Sequence, residues 1–266
     1  MMDFIKVIHE TMRTTETDEM FGYHVTNVEI GLCVNAIIDW SKVSARCRWL
    51  ACMNPHSYVA ALDDAPFSRA LLAADWLIPD GTGIVLASKI LGGKIRERIT
   101  GSDIFRGVLE ELNRIGGFSM FFLGSTEETL AVIRTRMAVD FPNVRVAGTY
   151  SPPFKPVFSD EDNELMMAAI HAAAPDVLWV GMTAPKQEKW IYENRDRLNV
   201  KFAAAVGAVF DFYTEKVKRS HPAFQKIGLE WLPRLMREPK RLWRRNFVST
   251  PLFLLMILKE KMRMRR

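Results

Sequence analysis

The chain has 266 residues and a formal charge of +5, with 48% hydrophobic and 25% charged residues. This balance is typical of a globular protein with a buried core and argues against a disordered or fibrous chain. Three cysteines without a CxxC pair argue against a disulfide framework or zinc ribbon and favour a reducing compartment. Because no signal peptide and no spanning apolar run is evident, we expect a protein that neither crosses the membrane nor leaves the cell.

Short apolar, β-prone runs alternate with helical patterns from about residue 49 onward. This alternation is typical of βαβ units, so we predict an α/β fold with a Rossmann-like, mainly parallel sheet flanked by helices. The stretch before residue 25 is polar, and we expect it to be a frayed extension. Strands are predicted at 49–54, 76–79, 119–124, 144–148, 177–181 and 202–207.

Two of the predicted helices begin with capping signals. Ser125 with Glu128, and Ser159 with Asp162, each have the spacing of a capping box. The acidic run 160–162 also resembles the DxD motif with which many sugar transferases hold a divalent metal. Its place at the start of an amphipathic helix favours capping instead, since acidic side chains suit a helix N-terminus. We therefore expect no metal site here.

The positive charge is concentrated in the last fifth of the chain. Residues 216–266 contain 15 Lys and Arg against three acidic residues, so the preceding part is net acidic. Trp and Leu residues are interleaved with these arginines, which predicts a basic amphipathic helical appendage that contacts an anionic membrane or a diphosphate. The alternative is that the apolar residues pack on the body and the arginines are only solvated. No nucleic-acid-binding motif is present, and we expect no nucleic-acid partner.

Polar residues follow three predicted strands, at the sheet edge where open α/β folds bind ligands. Asn54 follows the first strand, Asp80 the second, and the segment 182–188 the strand VLWVG. Gly81 and Gly83 permit a tight turn with close backbone approach, and the amides that follow could receive a phosphate. Asp80 suits a general base that takes the proton of an acceptor hydroxyl, although Asp-Gly is also a common turn pair.

A dinucleotide-binding loop is the competing interpretation of Gly81 and Gly83. In a GxGxxG motif Leu86 would have to be the third glycine, and no acidic residue for a ribose follows at the expected distance. We therefore do not expect NAD, and we expect no other cofactor.

The order of the motifs is more specific than any one of them. Asn-Pro at 54–55 is followed by PDGTG at 79–83, ERITGSD at 97–103, PKQE at 185–188 and GAVFDF at 207–212. A C-terminal signature runs from Gly228 to Arg245. In this order the motifs resemble the WecG/TagA/CpsF family of glycosyltransferases, over about residues 25–250.

The resemblance implies an inverting, metal-independent transfer of a hexose, an N-acetylhexosamine or its uronic acid. The donor would be a UDP-sugar, and the acceptor a polyprenyl-diphosphate-linked saccharide of a surface polysaccharide or cell-wall polymer. Asp80 would be the catalytic base. The implied binding residues are Asn54, Cys52, Gly81, Gly83, Arg98, Thr100, Asp103, Gln187 and Asp211, with Arg234, Arg241 and Arg244 on the diphosphate.

Some of these residues have an alternative structural role. Thr100 and Asp103 could cap the next helix, and Gln187 could be a solvated helix residue. Arg98 could be a surface arginine. Cys52 stands where relatives commonly carry a threonine, a change that bears on the substrate pocket.

The resemblance also implies a peripheral enzyme on the cytoplasmic, inner face of the bacterial plasma membrane. The chain would then comprise an extension (1–24), an α/β catalytic domain (25–215) and the basic helical appendage (216–266). A homo-oligomer is compatible with the sequence. Two other functions remain open: a non-catalytic, membrane-associated assembly scaffold, and a soluble nucleotide-sugar epimerase.

Overall fold

A computed structural model describes residues 17–216 and 243–264 of the chain. Six strands form one parallel sheet in the order β4-β3-β8-β7-β5-β6, and β1 and β2 form a separate antiparallel hairpin. The strands are β1 (Thr17–Met20), β2 (Tyr23–Thr26), β3 (Arg48–Met53), β4 (Trp76–Pro79), β5 (Phe118–Gly124), β6 (Val144–Tyr150), β7 (Val177–Gly181) and β8 (Phe202–Ala205).

Helices cover both faces of the sheet, and the predicted α/β class with its parallel sheet is confirmed. All six predicted strands are present; β8 ends two residues earlier than expected, at Ala205, and β6 extends two residues further, to Tyr150. The helices are α1 (Ile30–Val43), α2 (Pro55–Asp63), α3 (Ala65–Ala73), α4 (Thr82–Leu91), α5 (Gly101–Ile115), α6 (Glu127–Asp140), α7 (Asp160–Ala173), α8 (Lys186–Asn194), α9 (Val209–Tyr213), a π-helical turn (Arg245–Ser249) and α10 (Thr250–Arg263).

The core lies in two layers because successive residues of each strand point to opposite faces of the sheet. In β7, Leu178 and Val180 pack on the face covered by α2, α3, α4, α7, α8 and α10. Val177 and Trp179 pack on the other face, under α1, α5, α6 and α9. All of these side chains are fully buried, which is why the strand reads as a continuous apolar run.

Over residues 17–24 the hairpin formed by β1 and β2 contradicts the frayed extension that we expected before residue 25; residues 1–16 of that extension lie outside the described part of the chain. Met20, Tyr23 and Val25 are buried in the core despite the polar residues around them. Asp18 anchors the hairpin, since its carboxylate accepts hydrogen bonds from the Ser88 hydroxyl and from backbone amides of the loop after α4. Burial alone would raise the pKa of Asp18, but a hydrogen bond from the Asn27 side chain together with those from the loop amides and Ser88 outweighs it and lowers the pKa. A polar residue of the hairpin, Asp18, therefore serves as its anchor.

The capping predictions were right at one helix and wrong at another. Ser159 caps α7 in a capping box with Asp162, as predicted. At α6 the cap is Thr126, whose hydroxyl accepts from the backbone amide of Thr129. Ser125 is one residue too early because it adopts a left-handed conformation (φ 59°) in the turn that leaves β5.

The helix α10 lies against α2 and α4 through one apolar face. Phe253 and Ile257 on this face are buried, and the Phe253 ring packs at 5.4 Å from Tyr58 and 5.9 Å from Phe21. Residues on the rest of its surface, such as Leu255, are exposed. Among the described helices, none is both long and apolar enough to span a membrane.

Candidate active site

The first two motifs meet at the carboxyl end of β3 and β4. The Asp80 amide donates to the Met53 carbonyl (2.8 Å), which places Asp80 beside Asn54. Gly81 has a φ of +119°, a conformation that side chains disfavour, and a Cβ on Gly83 would lie 2.5 Å from Pro55. The close approach that we expected of these glycines is therefore made to the Asn54-Pro55 turn.

The Asn54 side chain begins the helix that follows β3. Its Oδ1 accepts from the backbone amides of His56 and Ser57, both at 3.0 Å, while the backbone amide of Asn54 donates to the Ser57 hydroxyl. This capping box uses the oxygen and leaves Nδ2, which makes no hydrogen bond within the described part of the chain. Asn54 thus combines a structural role with a donor that remains available at the sheet edge.

The third motif is tied to the end of β4 by the amide of Ile99, which donates to the Pro79 carbonyl at 3.1 Å. Thr100 caps α5 and forms a capping box with Asp103, so the alternative structural role of these two residues is confirmed. Arg98 precedes them and is half-buried. The motif therefore brings a cation and the first turn of α5 to the edge that carries Asp80.

The fourth and fifth motifs are joined by Gln187. This side chain is only 3% exposed, so its assignment to a solvated helix surface is wrong. Its Oε1 accepts from the Gly207 amide (3.0 Å), and its Nε2 donates to Oε1 of Glu188 (2.9 Å). The start of α8 is thereby bound to the turn after β8, and that turn leads to Asp211 in the first turn of α9.

Cys52 lies between two acidic groups of the site. Burial raises the pKa of its thiol well above the usual value, and the negative charges of Asp80 and Glu188 raise it further. The thiol points to the Ala205 carbonyl, at 3.8 Å, and packs against Gly101 at the start of α5. Cys52 therefore stays protonated and acts as a small packing group rather than a nucleophile.

The C-terminal segment borders the same edge. His56 Nδ1 and the Ser249 hydroxyl are 2.9 Å apart, which ties the π-helical turn to the start of α2. Burial lowers the pKa of His56, and the charges of Arg245 and Arg244 lower it further. Arg245 is half-buried and Arg244 is exposed. Both cations therefore lie near Asn54-Pro55; Arg234 and Arg241 fall outside the described residues.

Sequence reasoning missed two residues of this edge, Glu188 and Arg245. Glu188 stands in the quoted PKQE motif, but an acidic residue in the first turn of a helix is normally explained by the helix dipole and by exposure. Arg245 lies beside Arg244, which the sequence analysis named as a residue for binding the diphosphate. Its positive charge reaches the Cys52 thiol, so it lies near the acidic groups.

Together these groups provide a carboxylate, backbone amides and cations at one sheet edge. Asp80 is half-buried next to the first turn of α4, where the cap residue Gly81 has no side chain to occupy the amides. Such an edge can accept a proton at the carboxylate while amides and arginines meet a departing anion. Over residues 17–216 and 243–264, no cluster of three or more His, Cys, Asp or Glu residues could hold a metal.

Comparison with known proteins agrees with this architecture. N-acetylglucosaminyldiphosphoundecaprenol N-acetyl-beta-D-mannosaminyltransferase of Bacillus spizizenii is 31% identical over 208 residues, which cover 78% of this chain and 77% of the relative. Proteins of the same name from Bacillus subtilis and Staphylococcus aureus (strain MRSA252) are 29% and 26% identical, covering 80% and 97% of this chain and 79% and 98% of the relatives. Residues 19–266 match the profile of the glycosyl transferase WecG/TagA/CpsF family, and the chain is therefore a glycosyltransferase that belongs to that family.

Proposed function

We propose that this glycosyltransferase transfers an N-acetylhexosamine, with inversion and without a metal, from a UDP-sugar to a polyprenyl-diphosphate-linked saccharide. The relatives are named for N-acetylmannosamine transfer to N-acetylglucosaminyl-diphosphoundecaprenol, so UDP-N-acetylmannosamine and that lipid are the first pair to test. The observation that carries the proposal is the convergence of five separated motifs at the edge that presents Asp80.

In the proposed reaction, Asp80 removes the proton from an acceptor hydroxyl, and the oxygen attacks the anomeric carbon of the donor. The bond from that carbon to the UDP oxygen breaks at the same time, so one displacement inverts the configuration. Charge develops on the departing diphosphate, where guanidinium groups bind phosphate in a bidentate manner. Arg98, Arg244 and Arg245 border the edge, and we assign Arg234 and Arg241 to the same task.

The donor sugar would contact groups that the structure leaves at this edge. The Nδ2 group of Asn54 supplies a donor, and the first-turn amides of α4 next to Gly81 and Gly83 supply others. Thr100 and Asp103 support the site by holding the start of α5. Asp211 would meet the nucleotide from α9.

A peripheral membrane attachment is supported by the surface of α10. Leu254, Leu255 and Leu258 are 38%, 56% and 54% exposed, and Trp243 and Phe247 just before the helix are 51% and 58% exposed. Basic residues Lys261 and Arg263 follow in its last turn. An apolar face flanked by cations suits the anionic inner face of a bacterial plasma membrane, where a polyprenyl acceptor is anchored.

The two sequence interpretations of the appendage both apply to α10. One set of its apolar residues packs on the body, as Phe253 does, and another set is exposed. A soluble epimerase would have no use for exposed apolar residues on α10. A scaffold would need them, and only loss of turnover on changing Asp80 separates the scaffold from the enzyme.

The test is UDP release from a panel of UDP-sugars, with the lipid acceptor in detergent and EDTA present. We expect acceptor-dependent release that survives EDTA, and a loss of about 10²- to 10⁴-fold in Asp80→Asn, as for removal of a general base. Asp63→Asn is the matched control, because Asp63 is an exposed aspartate at the end of α2. Turnover that persists in Asp80→Asn would contradict the proposal, and an α-linked or β-linked product identified by NMR decides between retention and inversion.

A further inference from the structure

Glu188 is a buried carboxylate at the site that has no role in the proposed reaction. Its side chain is 2% exposed, and it lies at the third position of α8, next to Gln187. One oxygen, Oε1, accepts from Gln187 Nε2, while Oε2 is buried without a hydrogen-bond partner. Among the described residues no other carboxylate has a buried oxygen in that state. A buried carboxylate with an unsatisfied oxygen costs free energy, which raises the question of what the contacts of Glu188 do.

The hydrogen bonds around Gln187 fix the orientation of its amide. A glutamine amide can rotate by half a turn and exchange its oxygen and nitrogen. The Gly207 amide is a donor and requires the oxygen of Gln187, whereas the Glu188 carboxylate is an acceptor and requires the nitrogen. The two neighbours thus select the same orientation, and in the opposite one both contacts would be repulsive.

The turn held in this way joins β8 to α9. Gly207 adopts a left-handed conformation, with φ of +57°, between the end of β8 and α9. Its amide is fixed by Gln187 Oε1 at 3.0 Å, and Asp211 follows within the next turn of chain. A shift of the amide of Gln187 would therefore be passed to the segment that carries Asp211.

We propose that Glu188 is a positioning residue that locks the Gln187 amide and, through the Gly207 amide, sets the turn between β8 and α9. The effect on turnover rests on the proposed function, since it acts through the donor-binding side of the site. Glu188 itself does not reach the substrate, because its side chain is covered by protein.

Several charged or titratable groups surround this carboxylate. The protonated thiol of Cys52 in β3 lies within reach of its charge, and the charges of Asp80 and of Arg245 in the C-terminal segment act on the same thiol. Lys189 follows it in α8 and is paired with Asp64 at 2.8 Å. Burial raises the pKa of Glu188 to about 7, so its charge can be removed within a mild pH range.

An NMR experiment tests the contact without any need for activity. The chain has only two glutamines, Gln187 and Gln225, so glutamine labelled at the side-chain nitrogen gives two amide pairs. The pair lost in Gln187→Ala is that of Gln187. We expect this pair to move between pH 5.5 and 8.5 with a midpoint at about 7, and to stop moving in Glu188→Gln. That variant has a third pair from the new glutamine, and the pair of Gln187 is again the one lost when Gln187→Ala is added to it. A Gln187 pair that ignores pH, or that moves equally in Glu188→Gln, would overturn the proposal.

A kinetic experiment tests the positioning itself. Glu188→Gln keeps an acceptor for Gln187, and we expect kcat/KM within about threefold of wild type at pH 7.5. Glu188→Met removes the acceptor at similar size and should lower kcat/KM by about 10- to 100-fold, the usual result of displacing a group by about 1 Å. Glu193→Met is the control, since Glu193 is exposed on the same helix.

A double variant separates positioning from a general structural role. If Glu188 acts through Gln187, then Glu188→Met combined with Gln187→Ala should be no slower than Gln187→Ala alone. Additive losses, or a wild-type rate in Glu188→Met, would refute the proposal. An inactive wild-type protein would instead refute the proposed function, while the NMR result would still decide the contact.

Discussion

Replacing Glu188 by glutamine should make the protein more stable at high pH and leave it little changed at low pH. The carboxyl group has an ordinary pKa of 4.5, and burial raises the pKa to about 7 in the folded protein. A group whose pKa rises on folding binds more protons when folded, so its contribution is fully present below pH 4.5 and is lost as pH rises through about 7. Glutamine carries no charge, so the stability of Glu188→Gln does not fall in this pH range as that of the wild type does.

The size of the effect follows from the two pKa values. At about 1.4 kcal/mol per pH unit, the interval from 4.5 to about 7 corresponds to about 3 kcal/mol once Glu188 is ionised. Between pH 5 and pH 8 the wild type should therefore lose about 2 to 3 kcal/mol relative to Glu188→Gln. This is a large part of the 5–15 kcal/mol by which domains are typically stable.

Urea unfolding followed by tryptophan fluorescence measures this difference, because Trp49 and Trp179 are fully buried. The comparison across pH cancels any packing change that the substitution makes. Glu193→Gln, exposed on the same helix, should match wild type at each pH. If the difference between wild type and Glu188→Gln stays constant from pH 5 to pH 8, folding does not raise the pKa of Glu188, and the reasoning from its burial is refuted.

Three further predictions concern the frame of the site. Gly83→Ala should lower the free energy of unfolding by about 1–3 kcal/mol, because the added Cβ would lie 2.5 Å from Pro55. Gly31→Ala in α1 has open space around it and should not destabilise the protein. Urea titration compares the two variants. In a variant lacking the other two cysteines, half-buried Cys52 should react with a disulfide reagent at pH 8 much more slowly than after urea is added, since burial and the nearby acidic charges keep its thiol protonated; equally fast reaction in the native protein would contradict this. Asp18→Asn should lower the free energy of unfolding by about 1–3 kcal/mol, because an amide nitrogen must replace one of the two oxygens that accept hydrogen bonds. Urea titration measures this as well, and an unchanged stability would show that these hydrogen bonds do not anchor the hairpin.

The sequence was sufficient for the sheet and for the edge that holds the site. Six apolar runs of strand length predicted six strands, because a strand covered by helices on both faces must be apolar throughout. The carboxyl ends of parallel strands share one edge, and so Asn54 and Asp80, which follow β3 and β4, were expected to meet. Capping by Ser159, Thr100 and their acidic partners was equally a matter of local spacing.

Contacts between residues distant in the chain decided the rest. The hairpin at 17–26 was hidden because its polar residues find partners some 70 positions away, as Asp18 does at Ser88. Glu188 was not selected from the sequence, since an acidic residue in a first helical turn is usually exposed, and its burial is evident only where α8 packs in the fold. Local periodicity reports which face of an element is apolar, but burial of a polar side chain depends on what packs over it, and only the tertiary structure supplies that.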